Sequence, residues 1–129
     1  MPVDLESPDT RDRFHELDKK AQTEFRHGQY DQSAEDFHQA ACLAPSDLRD
    51  YYALFGTAIS ALAAGNLASA IESLKQADAL RPDYPLPLAM LVKISLQSPD
   101  PDQVKGFLRQ ASERFPRAGK LHAEFVKDL

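Results

Sequence analysis

The sequence lacks several features that would point to particular classes of protein. Cysteine occurs once, as Cys42, and tryptophan is absent. A single cysteine cannot form an internal disulfide, and it cannot by itself build a zinc site. Five glycines are few for a chain rich in β-strands and tight turns. These absences favour a helical fold stabilised by apolar packing, and the apolar run around Cys42 predicts a buried, unreactive thiol.

Long apolar runs are also missing. No stretch approaches the ~18 uncharged apolar residues that a membrane span needs. The N-terminus has neither the basic start nor the apolar core of a secretory signal. We therefore expect a cytoplasmic protein that does not insert into a membrane.

Positive charge is scarce in the first part of the chain. Net charge is −5 overall, with −6 in residues 1–50 and +1 in residues 51–129. Phosphate contacts supply much of the affinity of nucleic-acid binding proteins, and they require a basic surface. The charge distribution therefore argues against nucleic acid as a partner.

Chemistry-bearing motifs are missing as well. The four histidines, His15, His27, His38 and His122, contain no pair at the i, i+4 spacing of a helical zinc site. The sequence has no glycine-rich phosphate loop and no nucleophilic serine motif. It also shows no base near Cys42 that could activate the thiol. We expect no catalytic residue, no metal and no cofactor, and the protein is not expected to be an enzyme.

What the sequence does contain is a repeat. Six positions carry the same classes of residue as the six positions that lie 37 residues further along the chain. The last three of these match again, in class, the positions a further 34 residues along. The three sets are Gly28, Tyr30, Ser33, Phe37, Ala40 and Pro45; Gly65, Leu67, Ala70, Leu74, Ala77 and Pro82; and Pro99, Pro101, Val104, Leu108, Ala111 and Pro116.

Apolar triplets at i, i+4 and i+8 precede each set and predict one face of a helix. They are Leu17, Ala21 and Phe25; Leu54, Ala58 and Leu62; and Leu88, Val92 and Leu96. Each repeat therefore reads as two helices followed by a proline stop. Predicted helices cover residues 8–27, 31–43, 48–63, 67–80, 84–97, 102–114 and 118–128. Helix starts are expected at Ser7-Pro8, Asp47, Asn66 and Asp100-Pro101, and stops at Pro45, Pro82 and Pro116.

This pattern of small residues, a glycine turn and a closing proline resembles the tetratricopeptide repeat, whose period is 34 residues. The resemblance divides a single domain, 1–129, into repeats at 14–47, 51–84 and 85–118 and a capping helix at 118–128. It implies an all-α fold of antiparallel helix pairs stacked as a short right-handed superhelix. It also implies binding of a protein or peptide in a concave groove.

The residues expected to line that groove come from the first helix of each repeat, and we call them the groove residues. The segment 51–64 is apolar on nearly every side, so it is either covered on both faces or exposes one of them. In the first interpretation these side chains are core; in the second they contact a partner. The groove residues are Tyr52, Phe55, Ile59, Leu86, Met90, Lys93, Asp18 and Gln22.

The function expected from the resemblance is that of an adaptor that binds another protein. Acidic side chains of the first helix, Asp18 and Glu24, are expected at the groove rim and favour partners with lysine or arginine. Size and architecture are also similar to the translocator chaperones of bacterial type III secretion. A third possibility is a self-assembling element whose groove is filled by another copy of the chain.

Overall fold

The computed structural model describes residues 8–98 and 100–115, and every regular element in these ranges is a helix. The all-α prediction is confirmed. The described residues form six α-helices in succession, with a short 3-10 helix at Ser46–Leu48 between the second and the third. They are α1 (Pro8–Arg26), α2 (Tyr30–Leu43), α3 (Arg49–Ala63), α4 (Leu67–Leu80), α5 (Leu86–Ser95) and α6 (Pro101–Arg114). The predicted helix at 118–128 lies outside the described residues.

The connection between α2 and α3 differs from the prediction. Asp47 was expected to cap a helix that begins near Leu48. Instead the chain forms the 3-10 helix, with a hydrogen bond of 2.8 Å from the Leu48 N–H to the Pro45 carbonyl. Leu48, rather than Asp47, is the N-cap residue of α3, and its own side chain makes no capping hydrogen bond. The connections 44–48 and 81–85 that precede α3 and α5 are equally long, so the longer first repeat step comes from α3 being longer than α5.

Helix α5 is shorter than the predicted 84–97. A residue that precedes a proline is disfavoured in the helical region, which applies to Tyr84. Pro85 is the N-cap of α5, and Pro87 lies in its first turn. At the other end, hydrogen bonds from Gln97 to Ile94 and from Ser98 to Ser95 are of the tighter i to i+3 kind and end the helix.

The predicted caps of two later helices are confirmed. The Asp100 carboxylate accepts a hydrogen bond of 3.0 Å from the backbone N–H of Asp102 at the start of α6. The Asn66 side chain accepts one of 3.2 Å from the N–H of Ser69 at the start of α4. Both use the side-chain oxygen of a cap to satisfy a helix donor that has no partner within the helix.

The first two repeats also share the same turn geometry. Gly28 and Gly65 have φ of 78° and 81°, a left-handed conformation that glycine adopts without strain. The residue after each glycine, Gln29 or Asn66, donates to the carbonyl five residues earlier at 2.8 Å. These bonds form the glycine-dependent helix stop that ends α1 and α3.

The chain divides into two compact units, the first ending at Ser73 and the second beginning at Leu74 within α4. In the first unit, α2 packs against both α1 and α3. The small residues Ala21 and Ala58 are fully buried there. Ser33, which occupies a position where the repeat favours alanine, is also fully buried, and its hydroxyl donates to the Ala21 carbonyl at 2.7 Å. Small side chains thus allow the close helix contacts that the repeat pattern predicts.

The second unit contains the pair of α5 and α6. Every residue of α5 is buried except the partly exposed Leu86 and Lys93. The Arg114 guanidinium at the end of α6 donates two hydrogen bonds of 2.8 Å to the two carboxylate oxygens of Asp78, and another to the Pro82 carbonyl. This bidentate contact holds the end of α6 against the end of α4.

Candidate functional site

An aromatic cluster occupies the centre of the first unit. The Phe14 and Tyr52 ring centroids lie 4.9 Å apart and nearly perpendicular, and those of Phe37 and Phe55 lie 5.2 Å apart. The Tyr51 ring stands 4.6 Å from that of Phe55. Edge-to-face contacts of this kind add to the stabilisation from apolar burial. The cluster joins α1, α2 and α3, so its members are core side chains.

Four groove residues are consequently not at the surface. Phe55, Ile59 and Met90 are 0% exposed, and Tyr52 is 8% exposed. The expectation that these four side chains face an open groove is wrong for this structure, and the interpretation of Tyr52, Phe55 and Ile59 as core agrees with it. The apolar character of 51–64 arises because α3 is covered on more than one side.

Asp18 and Gln22 lie on α1 and keep part of their surface. The Gln22 amide donates to Asp18 Oδ1 at 2.9 Å, and the Tyr52 hydroxyl donates to Asp18 Oδ2 at 3.2 Å. Burial raises the pKa of the Asp18 carboxyl, while these two hydrogen bonds oppose the rise. The network satisfies the polar end of Tyr52 and ties α3 to α1.

Leu86 and Lys93 are the two partly exposed groove residues of the second unit. They lie seven positions apart on α5, which places them on the same side of that helix. A role in partner binding for these two, and for Asp18 and Gln22, remains a prediction.

A cavity that the sequence did not predict opens between α2 and the end of α3. We call it the α2–α3 cavity. Its volume is about 590 Å³, and its floor is formed mostly by small side chains, with two carboxylates from α2 beside them. The lining residues are Asp31, Ala34, Glu35, His38, Gln39, Cys42, Ser60, Ala63 and Ala64.

One wall of the cavity is the imidazole of His38, which lies against α3 at Gly56. The His38 Nε2 atom is 3.5 Å from the Ser60 hydroxyl oxygen. Gly56 is buried beneath the ring, where a larger residue would collide with it. The contact between these two residues was not predicted from the sequence. A glycine in the interior of a helical pattern was the signal for a close contact at this position.

Cys42 is a second correction, because it is exposed rather than buried. Its neighbours Ala40 and Leu43, three positions apart, are the residues of this turn that face the core. Cys42 therefore points outward into the α2–α3 cavity. His38, one turn earlier on the same helix, lines the same cavity.

A pair of acids, Glu24 on α1 and Asp36 on α2, is buried in the first unit, and we call it the carboxyl pair. Glu24 is 5% exposed and Asp36 is 7% exposed, so Glu24 is not at the rim where it was expected. The Lys20 ammonium lies 3.2 Å from Asp36 Oδ2 and 4.0 Å from Glu24 Oε2. Burial, and then a hydrogen bond to Asp36, raise the pKa of Glu24 to about 7.

Two further observations concern the residues that the structure describes. Within 8–98 and 100–115, no three histidine, cysteine, aspartate or glutamate side chains are grouped so that they could hold a metal ion. In the same residues, no helix combines the length and the apolar character required to cross a bilayer.

Comparison with protein families gives a match that overlaps the second and third predicted repeats. Residues 61–124 match a family model described as Tetratricopeptide repeat. This range begins near the end of α3 and includes α4, α5 and α6. Comparisons with curated proteins and with solved structures give no match.

Proposed function

The chain belongs to the tetratricopeptide repeat family, and from that premise we propose that it binds a segment of another protein and has no catalytic role. Tetratricopeptide repeats are generally modules for protein–protein interaction. A short array of helix pairs with few motifs of its own suits such a role, because stacked pairs present an extended surface to a partner.

The α2–α3 cavity is the observation that carries the choice of surface. Its volume of about 590 Å³ lies within the range of roughly 300–1,000 Å³ that is usual for ligand pockets. Alanine side chains at Ala34, Ala63 and Ala64 leave room for an apolar side chain of a partner. The aromatic side chains of α3 are buried, so they offer a partner no comparable surface.

Charge indicates the chemistry of the occupant. Asp31 and Glu35 are exposed residues of α2 at the cavity, and residues 1–50 carry a net charge of −6. Opposite charges across an interface steer association and disfavour partners of the same sign. The proposed ligand is therefore an apolar segment flanked by lysine or arginine.

The proposal is tested by filling the cavity. Ala63→Phe places a ring at an exposed lining position, and Ala79→Phe makes the same change at an exposed position of α4 outside the cavity. After circular dichroism confirms that both variants fold, affinity capture with quantitative mass spectrometry compares them with the unaltered protein. We expect Ala63→Phe to lose partners that Ala79→Phe retains. Equal partner sets for the three proteins would rule out this cavity as the binding site.

A chaperone of the translocator type and a self-assembling element remain alternative predictions. The first rests on size, helical repeats and acidic charge, and it predicts a client protein that becomes soluble when the two are expressed together. The second predicts oligomers that grow with concentration and are lost in Ala63→Phe. Sedimentation velocity over a range of concentrations separates self-association from capture of a different protein. A cytoplasmic location also remains a prediction.

A further inference from the structure

The carboxyl pair contains two oxygen atoms that no donor satisfies among the described residues. Glu24 Oε1 and Asp36 Oδ2 are both buried and have no hydrogen-bond partner. The Lys20 ammonium lies 3.2 Å from Asp36 Oδ2 and compensates part of its charge, whereas Glu24 Oε1 has no donor among the described residues. A buried acceptor without a donor is destabilising, and two facing carboxylates also repel each other.

A single proton resolves both problems. Two ionised carboxylates are acceptors only, whereas one protonated carboxyl donates to its neighbour. We propose that Glu24 is protonated in the folded chain and donates a hydrogen bond to Asp36, and that loss of this proton at higher pH weakens the pairing of α1 with α2. The carboxyl pair would then make the first unit sensitive to pH near neutrality. This inference does not depend on the proposed binding function.

The surrounding charges leave the pair undercompensated when it is doubly ionised. On α1 the nearby cation is Lys20, whose side chain is 64% exposed and therefore mostly hydrated. On α2 Glu35 adds a further negative charge, which also raises the pKa of Glu24. One hydrated ammonium thus faces up to three carboxylates.

Solvent comes close to the carboxyl pair on one side. A shallow depression of about 480 Å³ opens at Glu24, and its rim includes Glu16, Lys19, Lys20, Thr23 and Gln29. A proton released by Glu24 therefore has only a short distance to cross before it reaches solvent. The carboxyl groups are thus buried, but they lie close to the solvent that can take up the proton.

The direction of the pH effect follows from the two states of Glu24. Its pKa is raised from 4.5 to about 7 in the folded chain, so the folded state holds a proton that the unfolded state has released. A state that binds more protons is favoured at lower pH. Stability should therefore fall as pH rises from about 4.5 to about 7, and this contribution should be constant above that range.

The test is urea denaturation from pH 5 to pH 8.5 for the full chain and two variants. Glu24→Gln replaces one carboxyl by a neutral group that can donate to Asp36. Glu72→Gln removes an exposed carboxylate of α4 that is not among the charges around the carboxyl pair, and it serves as the matched control. We expect the urea midpoint of the unaltered protein to fall from pH 5 to about pH 7 and then to level off. The midpoint of Glu24→Gln should depend much less on pH, and that of Glu72→Gln should fall as in the unaltered protein.

Carbon-13 NMR of the side-chain carboxyl groups gives a direct reading that does not depend on any variant folding. The carboxyl carbon of Glu24 in the unaltered protein should titrate with a midpoint near 7. A midpoint below 5 in the folded protein would overturn the proposal, even if Glu24→Gln fails to fold. An equal pH dependence in the unaltered protein and Glu24→Gln would also overturn it.

Discussion

The imidazole of His38 lies so close to Gly56 that a Cβ atom added to this glycine would be 2.6 Å from the His38 Nδ1 atom. The ring belongs to α2 and the glycine to α3, the two helices that line the cavity. Because His38 is exposed, its ring can rotate into solvent at a modest cost. The contact therefore determines where the cavity wall lies, and it contributes little to the stability of the fold.

Replacement of Gly56 by alanine should produce two opposing effects. Alanine is favoured over glycine in a helix interior by about 1 kcal/mol. The added methyl group must also displace the His38 ring. We expect Gly56→Ala to stabilise the protein more in a His38→Ala background than in the unaltered protein, as measured by urea denaturation of the four proteins. The same effect in both backgrounds would show that the ring moves at no cost.

The fold was largely predictable because its determinants are local and repeated. The spacing of Leu17, Ala21 and Phe25 marks a helix without any knowledge of its neighbours. Glycine turns at Gly28 and Gly65 and the cap at Asp100 are short-range signals, and each is present in the structure. The cap expected at Asp47 was wrong because the 3-10 helix before α3 intervenes.

The candidate site was much less predictable. Periodicity places a residue on a face of its own helix, but it does not reveal which faces other helices cover. Phe55 and Ile59 are on the face of α3 opposite Leu54, as the spacing indicates, yet they are buried while Leu54 is partly exposed. The α2–α3 cavity likewise depends on how two helices separate near their ends. Only the unexplained interior glycine, Gly56, pointed towards it.

Close packing at the small residues predicts a cost for enlarging them. Ala58 and Ala70 are fully buried. Leucine at either position adds volume to a packed interior, which destabilises a protein by about 1–3 kcal/mol. The urea midpoint should fall for Ala58→Leu and for Ala70→Leu, whereas Ala79→Leu at an exposed position should leave it nearly unchanged. Unaltered midpoints for both buried variants would contradict the close-packing argument.

The contact of Arg114 with Asp78 should depend on the planar guanidinium. Both carboxylate oxygens accept a hydrogen bond from it, and lysine cannot reproduce this geometry. Because the pair is partly exposed, we expect Arg114→Lys to lower stability by no more than about 1 kcal/mol. The effect should appear as faster amide hydrogen exchange in α6. Arg109→Lys, an exposed change on the same helix, is the control and should leave exchange unaltered.

Charged substitutions in the aromatic cluster separate a core role from a binding role. Phe55 and Ile59 are fully buried, so Phe55→Glu and Ile59→Lys each place a charge in the interior of the first unit. Burying an unpaired charge costs several kcal/mol, which is comparable with the about 5–15 kcal/mol that stabilises a typical domain. We expect both variants to lose helicity and cooperative unfolding in circular dichroism. Thr57→Glu, an exposed change on the same helix, should fold normally.

The opposite result of this experiment would be equally informative. If Phe55→Glu and Ile59→Lys folded with normal helicity and lost a partner that Thr57→Glu retained, both side chains would have to reach the surface in solution. The burial of these residues would then describe one state of α3, and the groove interpretation would regain its support. Loss of folding in both variants, together with loss of partners in Ala63→Phe, would instead assign binding to the α2–α3 cavity and leave the aromatic cluster as core.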